Sequence, residues 1–137
     1  MTNKTITVVL KRRNLPHMTL EGSYYFITFN TFKRAKLSVE SVKTVLNHII
    51  EGNKKFYHLI AAVILDDHVH IIIHPNSGYE LSRIMKGVKG VSSHKINLLN
   101  NTKEKIWQDE YYDRIIRDDD EMREKLNYMY NNPIKRE

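Results

Sequence analysis

Two apolar periodicities alternate along the chain, and their boundaries divide it into elements. Tyr24-Tyr25-Phe26-Ile27-Thr28-Phe29-Asn30 follows Gly22-Ser23 as an unbroken β-branched and aromatic run, which predicts an inner strand covered on both faces. Val39, Val42, Val45, Leu46, Ile49 and Ile50 then recur at helical spacing, with Ser38 ahead as an N-cap and Gly52 just past the end. That is the pattern of an amphipathic helix. A strand over Phe56–Leu65, an Asp66-Asp67 turn and a strand over His68–His74 read as a hairpin, which Pro75-Asn76-Ser77-Gly78 terminates. Leu81, Ile84, Met85, Val88 and Val91 define the buried stripe of a second helix, with Arg83, Lys86 and Lys89 on another side. Gly87 and Gly90 weaken it by roughly 1 kcal/mol each unless a close backbone approach compensates.

Asn100-Asn101-Thr102-Lys103 reads as a polar loop, and Lys105-Ile106-Trp107-Gln108 and Asp113-Arg114-Ile115-Ile116-Arg117 as one or two short strands. Asp118-Asp119-Asp120-Glu121 then opens a last helix with negative charge at its positive dipole end, and Pro133 is expected to stop it. In that helix Met122, Leu126 and Met129 form the core stripe. Tyr128 and Asn132 sit roughly 80 to 120° away on one flank, with Tyr130 on the other. The order of elements predicts one α+β domain over residues 1–137: a ferredoxin-like (split βαβ) antiparallel sheet with helices on one face and a C-terminal helix carrying a tyrosine. Residues 1–21, with Lys11-Arg12-Arg13 and no helical periodicity, read as a basic N-terminal arm, either a solvated tail or a phosphate-contacting segment.

Composition narrows the chemistry. A chain of 137 residues can bury a core without a structural metal or disulfides, so a metal here would serve a reaction. It has no cysteine, which removes thiolate sites and leaves nitrogen and oxygen ligands. Lysine and arginine number 22 against 16 acidic residues, a net charge of +6 and a pI near 9.5, favouring a polyanionic partner. For the basic positions of the second helix a simple solvated face is the slightly favoured reading over a phosphate track. No apolar run approaches membrane-spanning length and no cleavable leader is evident, so the expectation is a soluble cytoplasmic protein with no membrane partner.

Within the hairpin, His68 and His70 alternate with Val69, so an extended strand sets both imidazoles on one face, where two can chelate a metal. His74 shares that face but lies about 13 Å further along, too far to join them. It reads as a strand-end residue. Tyr128 and Asn132, four apart, share a helical face. Tyrosine can act as a nucleophile or stack on bases, and Tyr111, Tyr112 and Tyr130 are chemical rivals to Tyr128. Trp107 is most simply core.

The strand Tyr24-Tyr25-Phe26-Ile27-Thr28, the segment Ala62-Val63-Ile64-Leu65-Asp66-Asp67-His68-Val69-His70, the helix Leu81-Ser82-Arg83-Ile84-Met85-Lys86, Ile106-Trp107-Gln108, Tyr112 to Asp118, and Tyr128-Met129-Tyr130-Asn131-Asn132-Pro133-Ile134-Lys135 together resemble the single-tyrosine HUH transposases, in their REP-associated branch. That resemblance covers nearly the whole chain in the family's order. It implies a transposase that nicks and rejoins single-stranded DNA through a 5′-phosphotyrosine. His68, His70 and Asn132 would be ligands of a divalent metal, Mg²⁺ or Mn²⁺, and Tyr128 the nucleophile. Relatives usually place glutamine where Asn132 stands, and a proline-asparagine turn where Asp66-Asp67 stands. The latter departure either tightens the hairpin, the favoured reading, or adds a carboxylate near the metal. The implied partner is single-stranded DNA with hairpin or palindromic repeats in a prokaryotic nucleoid, with Arg12, Arg13, Arg83, Lys86, Lys89, Arg114 and Arg117 as candidate phosphate contacts. A homodimer is allowed, its tyrosine helix serving its own site or a partner's. The alternatives are a catalytically inactive, domesticated module that binds DNA or RNA hairpins, and a metal-dependent nuclease that uses water.

Overall fold

The computed structural model describes residues 6–9 and 22–135, with side chains described over 22–131. Five antiparallel strands form one sheet: β1 (Ile6–Val9), β2 (Tyr24–Asn30), β3 (Tyr57–Ile64), β4 (His68–Pro75) and β5 (Tyr112–Ile116), in the spatial order β1-β3-β4-β2-β5. Helix α1 (Val39–Glu51) links β2 to β3, and α2 (Leu81–Asn100) links β4 to β5. This is the expected split βαβ unit. β1 is an addition to it: part of the stretch read as an arm pairs with the outer edge of β3, Ile6 opposite Ile64 and Val9 opposite Ala61.

The sheet divides the interior in two. On one side Val69, Ile71 and Ile73 of β4 meet Ile27, Phe29, Leu59 and Ala62 under α1 and α2, whose Val42, Val45, Ile49, Ile84, Met85 and Val88 complete the larger core. Tyr24, Ala61, Val63 and Ile72 face the other way and are covered by Met122, Leu126 and Met129 of α3 (Asp119–Lys135). Period-two alternation in β4 thus sends its isoleucines alternately to two cores, and sends His68 and His70 to the α3 side.

The ends of α1 show why local residues matter. Ser38 accepts from the Ser41 N–H at 3.1 Å, as an N-cap should. Gly52 closes the helix with right-handed angles, φ −76°, so its value is space rather than left-handed freedom. A Cβ there would lie 2.6 Å from Tyr57 Cζ, and the Tyr57 hydroxyl donates to the Ile49 carbonyl at 2.6 Å.

Two expectations need correction, and a third, of one or two strands after α2, resolves to one. Val91 is exposed, and Ser92 and Ile96 take the buried positions as α2 runs to Asn100, ended by Asn101 in left-handed geometry at φ +57°. Lys105–Gln108 forms no strand but a single bridge, Trp107 to Thr31. Trp107 is core there, its Nε1–H donating to Ser92 Oγ at 3.0 Å. Helix α3 continues through Pro133 to Lys135. A proline in a final turn forfeits one backbone bond, which the end of a helix tolerates better than its middle.

Candidate active site

Register sets the site. Asn30 lies opposite His68, Thr28 opposite His70, and Phe26 opposite Ile72 on β4 and Arg114 on β5, so one sheet face carries Asn30, Thr28, Phe26 and both histidines in adjacent rows. The His68 and His70 rings are 4.9 Å apart and nearly perpendicular. Both residues are buried. Phe26 stacks on His70 at 5.5 Å. Over this row α3 lowers Tyr128, whose ring meets His70 edge-on at 5.6 Å and Phe26 at 6.1 Å. Tyr128 is 49% exposed, so a ring packed at its base presents its outer part to solvent. Lys125, one turn earlier, sets its ammonium 5.2 Å from the Phe26 ring centre.

Each histidine is held by its Nδ1. His70 Nδ1 lies 2.8 Å from Thr28 Oγ1, and His68 Nδ1 lies 2.8 Å from Asp67 Oδ1. Burial alone would raise the Asp67 carboxyl, but the His68 hydrogen bond and the Arg34 and Lys36 cations hold it below the ordinary carboxylate range. An ionised carboxylate only accepts, so the proton of that bond sits on His68 Nδ1. Imidazoles oriented in this way through Nδ1 suit a divalent cation bound at Nε2, and nitrogen donors are the chemistry such a site needs. Among the described residues no third histidine, aspartate or glutamate completes a metal cluster. The Asn132 side chain, one turn beyond Tyr128, lies outside the described residues.

The remaining candidates scatter. Arg12 and Arg13 lie outside the described residues. Arg83, Lys86 and Lys89 belong to α2, on the sheet face opposite the histidines. Arg83 lies over the Tyr79 ring at 5.8 Å. Lys89 is committed structurally, its Nζ donating to the carbonyls of Gln108, Asp109 and Glu110 at 2.6, 3.0 and 3.2 Å. Burial draws its pKa below the usual lysine range. Arg114 shares the histidine face but donates to Glu121 Oε2 at 2.7 Å, and the Arg117 backbone N–H donates to Glu121 Oε1 at 2.7 Å. His74 ends the row, Nδ1 toward the Ser23 carbonyl at 3.0 Å and its ring on Tyr24. Tyr130 is exposed, and no ring contact joins it to the histidines among those described.

Thr28, Phe26 and Arg34 are not among the sequence candidates, and Asp67 is read there first as a turn residue and second as a carboxylate near the metal. For the first two the signal was present: alternation along β2 puts them on one face, but nothing local to β2 says which face β4 shares. Arg34 stood in the run Lys33-Arg34-Ala35-Lys36, legible as charge but not as a partner of Asp67.

A split βαβ sheet with an His-x-His pair under a tyrosine-bearing helix defines a class, that of ferredoxin-like α+β proteins with a histidine and tyrosine cluster on the sheet face away from the two crossover helices. Comparison narrows it: residues 19–132 match the IS200-like transposases, and the chain belongs to that family. It is similar to the REP-associated tyrosine transposase of Escherichia coli (strain K12), 27% identical over 119 residues, which are 85% of this chain and 69% of the relative. The fold is also that of a REP-associated tyrosine transposase solved bound to a REP hairpin, with a TM-score of 0.70 at 23% identity, over 94% of this chain and 74% of that one. A candidate transposase from Deinococcus radiodurans R1 superposes with a TM-score of 0.57 at 16% identity, over 90% and 95% of the two chains.

Proposed function

We propose that the protein is a metal-dependent transposase of single-stranded DNA that nicks and rejoins its substrate through a 5′-phosphotyrosine on Tyr128. The observation that carries this reading is the packing of the Tyr128 ring against His70 within one chain. His68 and His70 would hold a divalent metal through Nε2, with Asn132 as third ligand and Thr28 and Asp67 orienting the rings. When bound, the metal supplies Lewis-acid polarisation of the scissile phosphate. The Tyr128 oxygen attacks phosphorus as its proton passes to solvent; the bond from phosphorus to the 3′ oxygen breaks, and that oxygen leaves as a protonated hydroxyl. One phosphoester replaces another, so the reverse attack by a 3′-hydroxyl rejoins strands without ATP.

Likeness to proteins named for REP elements, one of them bound to a REP hairpin, supports palindromic DNA hairpins as the substrate. Protein, Mn²⁺ and single-stranded DNA bearing such hairpins should yield a covalent adduct on denaturing gels, abolished by Tyr128→Phe and by His70→Ala. An adduct undiminished in Tyr128→Phe moves the nucleophile elsewhere. Cleavage without an adduct selects water as nucleophile. Salt-sensitive binding that survives His68→Ala, with no adduct under any metal, selects a non-catalytic hairpin-binding module.

A further inference from the structure

Lys33 and Arg34 are consecutive non-glycine residues in left-handed backbone geometry, φ +55° and +57°. One such residue is uncommon and a pair is strained, so contacts around the turn must hold it. The Thr31 N–H and hydroxyl both donate to the Asp67 carbonyl, at 3.0 and 3.2 Å, and the Leu37 N–H donates to the Asp66 carbonyl at 2.7 Å. The loop from β2 to α1 therefore grips the tip of the β3–β4 hairpin at both of its ends. Between those clamps the left-handed turn carries the half-exposed Arg34 side chain back to Asp67, guanidinium Nη2 to Oδ2 at 3.1 Å. Lys36 Nζ lies 3.5 Å from both Asp66 Oδ1 and Asp67 Oδ2. Asp67 itself is only 5% exposed, and its other oxygen meets His68 Nδ1.

We infer that Asp67 is a positioning residue for His68, and that the strained Lys33-Arg34 turn serves to fix Asp67. One carboxylate oxygen keeps the proton on Nδ1 and sets the angle of the ring. The other, held by Arg34 and Lys36, stops the carboxylate from rotating away. A carboxylate behind Nδ1–H makes Nε2 a better donor and removes the competing tautomer, and losing such a partner characteristically costs ten- to a hundredfold in metal affinity. The inference rests on the reading of His68 as a metal ligand. A turn role for Asp67 makes a different forecast, because asparagine forms such turns as readily as aspartate and leaves the backbone clamps of Thr31 and Leu37 in place.

The test uses the full chain with Mn²⁺ alone as probe, free Mn²⁺ being counted by electron paramagnetic resonance. Asp67→Asn, which keeps an acceptor but loses the charge, should weaken Mn²⁺ binding about tenfold, and Asp67→Ala up to about a hundredfold. Arg34→Ala should fall between wild type and Asp67→Ala. Circular dichroism and the urea midpoint of Asp67→Asn should stay at the wild-type values, which guards against misfolding. In parallel, ¹⁵N chemical shifts of the His68 ring in the metal-free protein should report a single Nδ1–H tautomer, converting to a mixture in Asp67→Ala. Wild-type Mn²⁺ affinity and an unchanged His68 tautomer in both Asp67 variants would overturn the inference and leave Asp67 as a turn residue. If the wild-type protein binds no Mn²⁺ while the tautomer still depends on Asp67, the metal reading fails and the positioning role stands.

Discussion

At the scale of single residues, much of the fold depends on a few close approaches. Gly52 is the sharpest, because the ring of Tyr57 occupies the space where a side chain would stand. Gly52→Ala should cost about 1–3 kcal/mol, the usual range for forcing an extra methyl group into a packed interior, read as a lowered urea midpoint with an unchanged slope. Tyr57→Phe should cost nearer 1 kcal/mol, the scale of one hydrogen bond, since the Ile49 carbonyl keeps the Gly52 N–H. Burial pushes the Tyr57 hydroxyl far above its ordinary value. The unfolded chain would ionise this group near pH 10 while the native one keeps its proton, so its contribution is complete below pH 10 and declines as the solution becomes more alkaline. The wild-type protein should therefore lose stability above about pH 10 more steeply than Tyr57→Phe, as followed by tyrosine absorbance and circular dichroism in one titration. The glycine was visible in the sequence as a helix end. The reason for it was not, because the ring that needs the space comes from the next strand.

At the scale of elements, α2 and α3 differ in what holds them. The sequence suggested that Gly87 and Gly90 weaken α2 unless some backbone passes close by. A Cβ would meet nothing within 4 Å at either position, so the weakness is uncompensated. Gly90→Ala should stabilise the protein by roughly 0.5–1 kcal/mol, measured as a raised thermal midpoint. Helix α3 is tied at its start. Asp118 Oδ1 accepts from the Glu121 N–H at 2.8 Å, while the Glu121 carboxylate takes the Arg117 N–H and the Arg114 guanidinium. The Arg117 backbone bond, followed by that to Arg114, holds the Glu121 carboxyl below the usual range. The tie is therefore present above the unfolded glutamate pKa of about 4.3 and is lost as pH falls through the lower folded value. Hydrogen-exchange protection of the first turns of α3, taken relative to the intrinsic rate at each pH, should fall as the protein is taken below about pH 4, with α1 lagging behind. Glu121→Gln should make exchange in α3 fast at neutral pH as well. The acidic opening of α3 could be read from four consecutive residues, whereas its attachment to β5 needed the register that sets Arg114 beside it.

At the scale of the whole molecule, strands β2 to β4, α1 and the core stripe of α3 were all legible, since each is a local periodicity more than a turn long. What one periodicity cannot convey is which side of the sheet another element covers. Ile6–Val9 is four residues with no turn signal joining it to β3, so it reads as part of an arm. The basic stripe of α2 is open in the sequence to solvation or to a phosphate track; in the fold α2 lies across the sheet from His68 and His70, and Lys89 is spent on three backbone carbonyls. If single-stranded DNA is the substrate, its phosphate near the tyrosine must approach the α3 face, where Lys125 stands over Phe26. Each phosphate contact contributes about one unit to the slope of log K against log salt. Lys125→Ala should thus reduce that slope by about one for a hairpin-bearing single strand, with Lys86→Ala leaving it unchanged. Fluorescence anisotropy across a salt series distinguishes the two outcomes. A slope lowered by Lys86→Ala and untouched by Lys125→Ala would put the nucleic acid on the helical face, remote from the histidines, and would separate binding from the chemistry proposed for Tyr128.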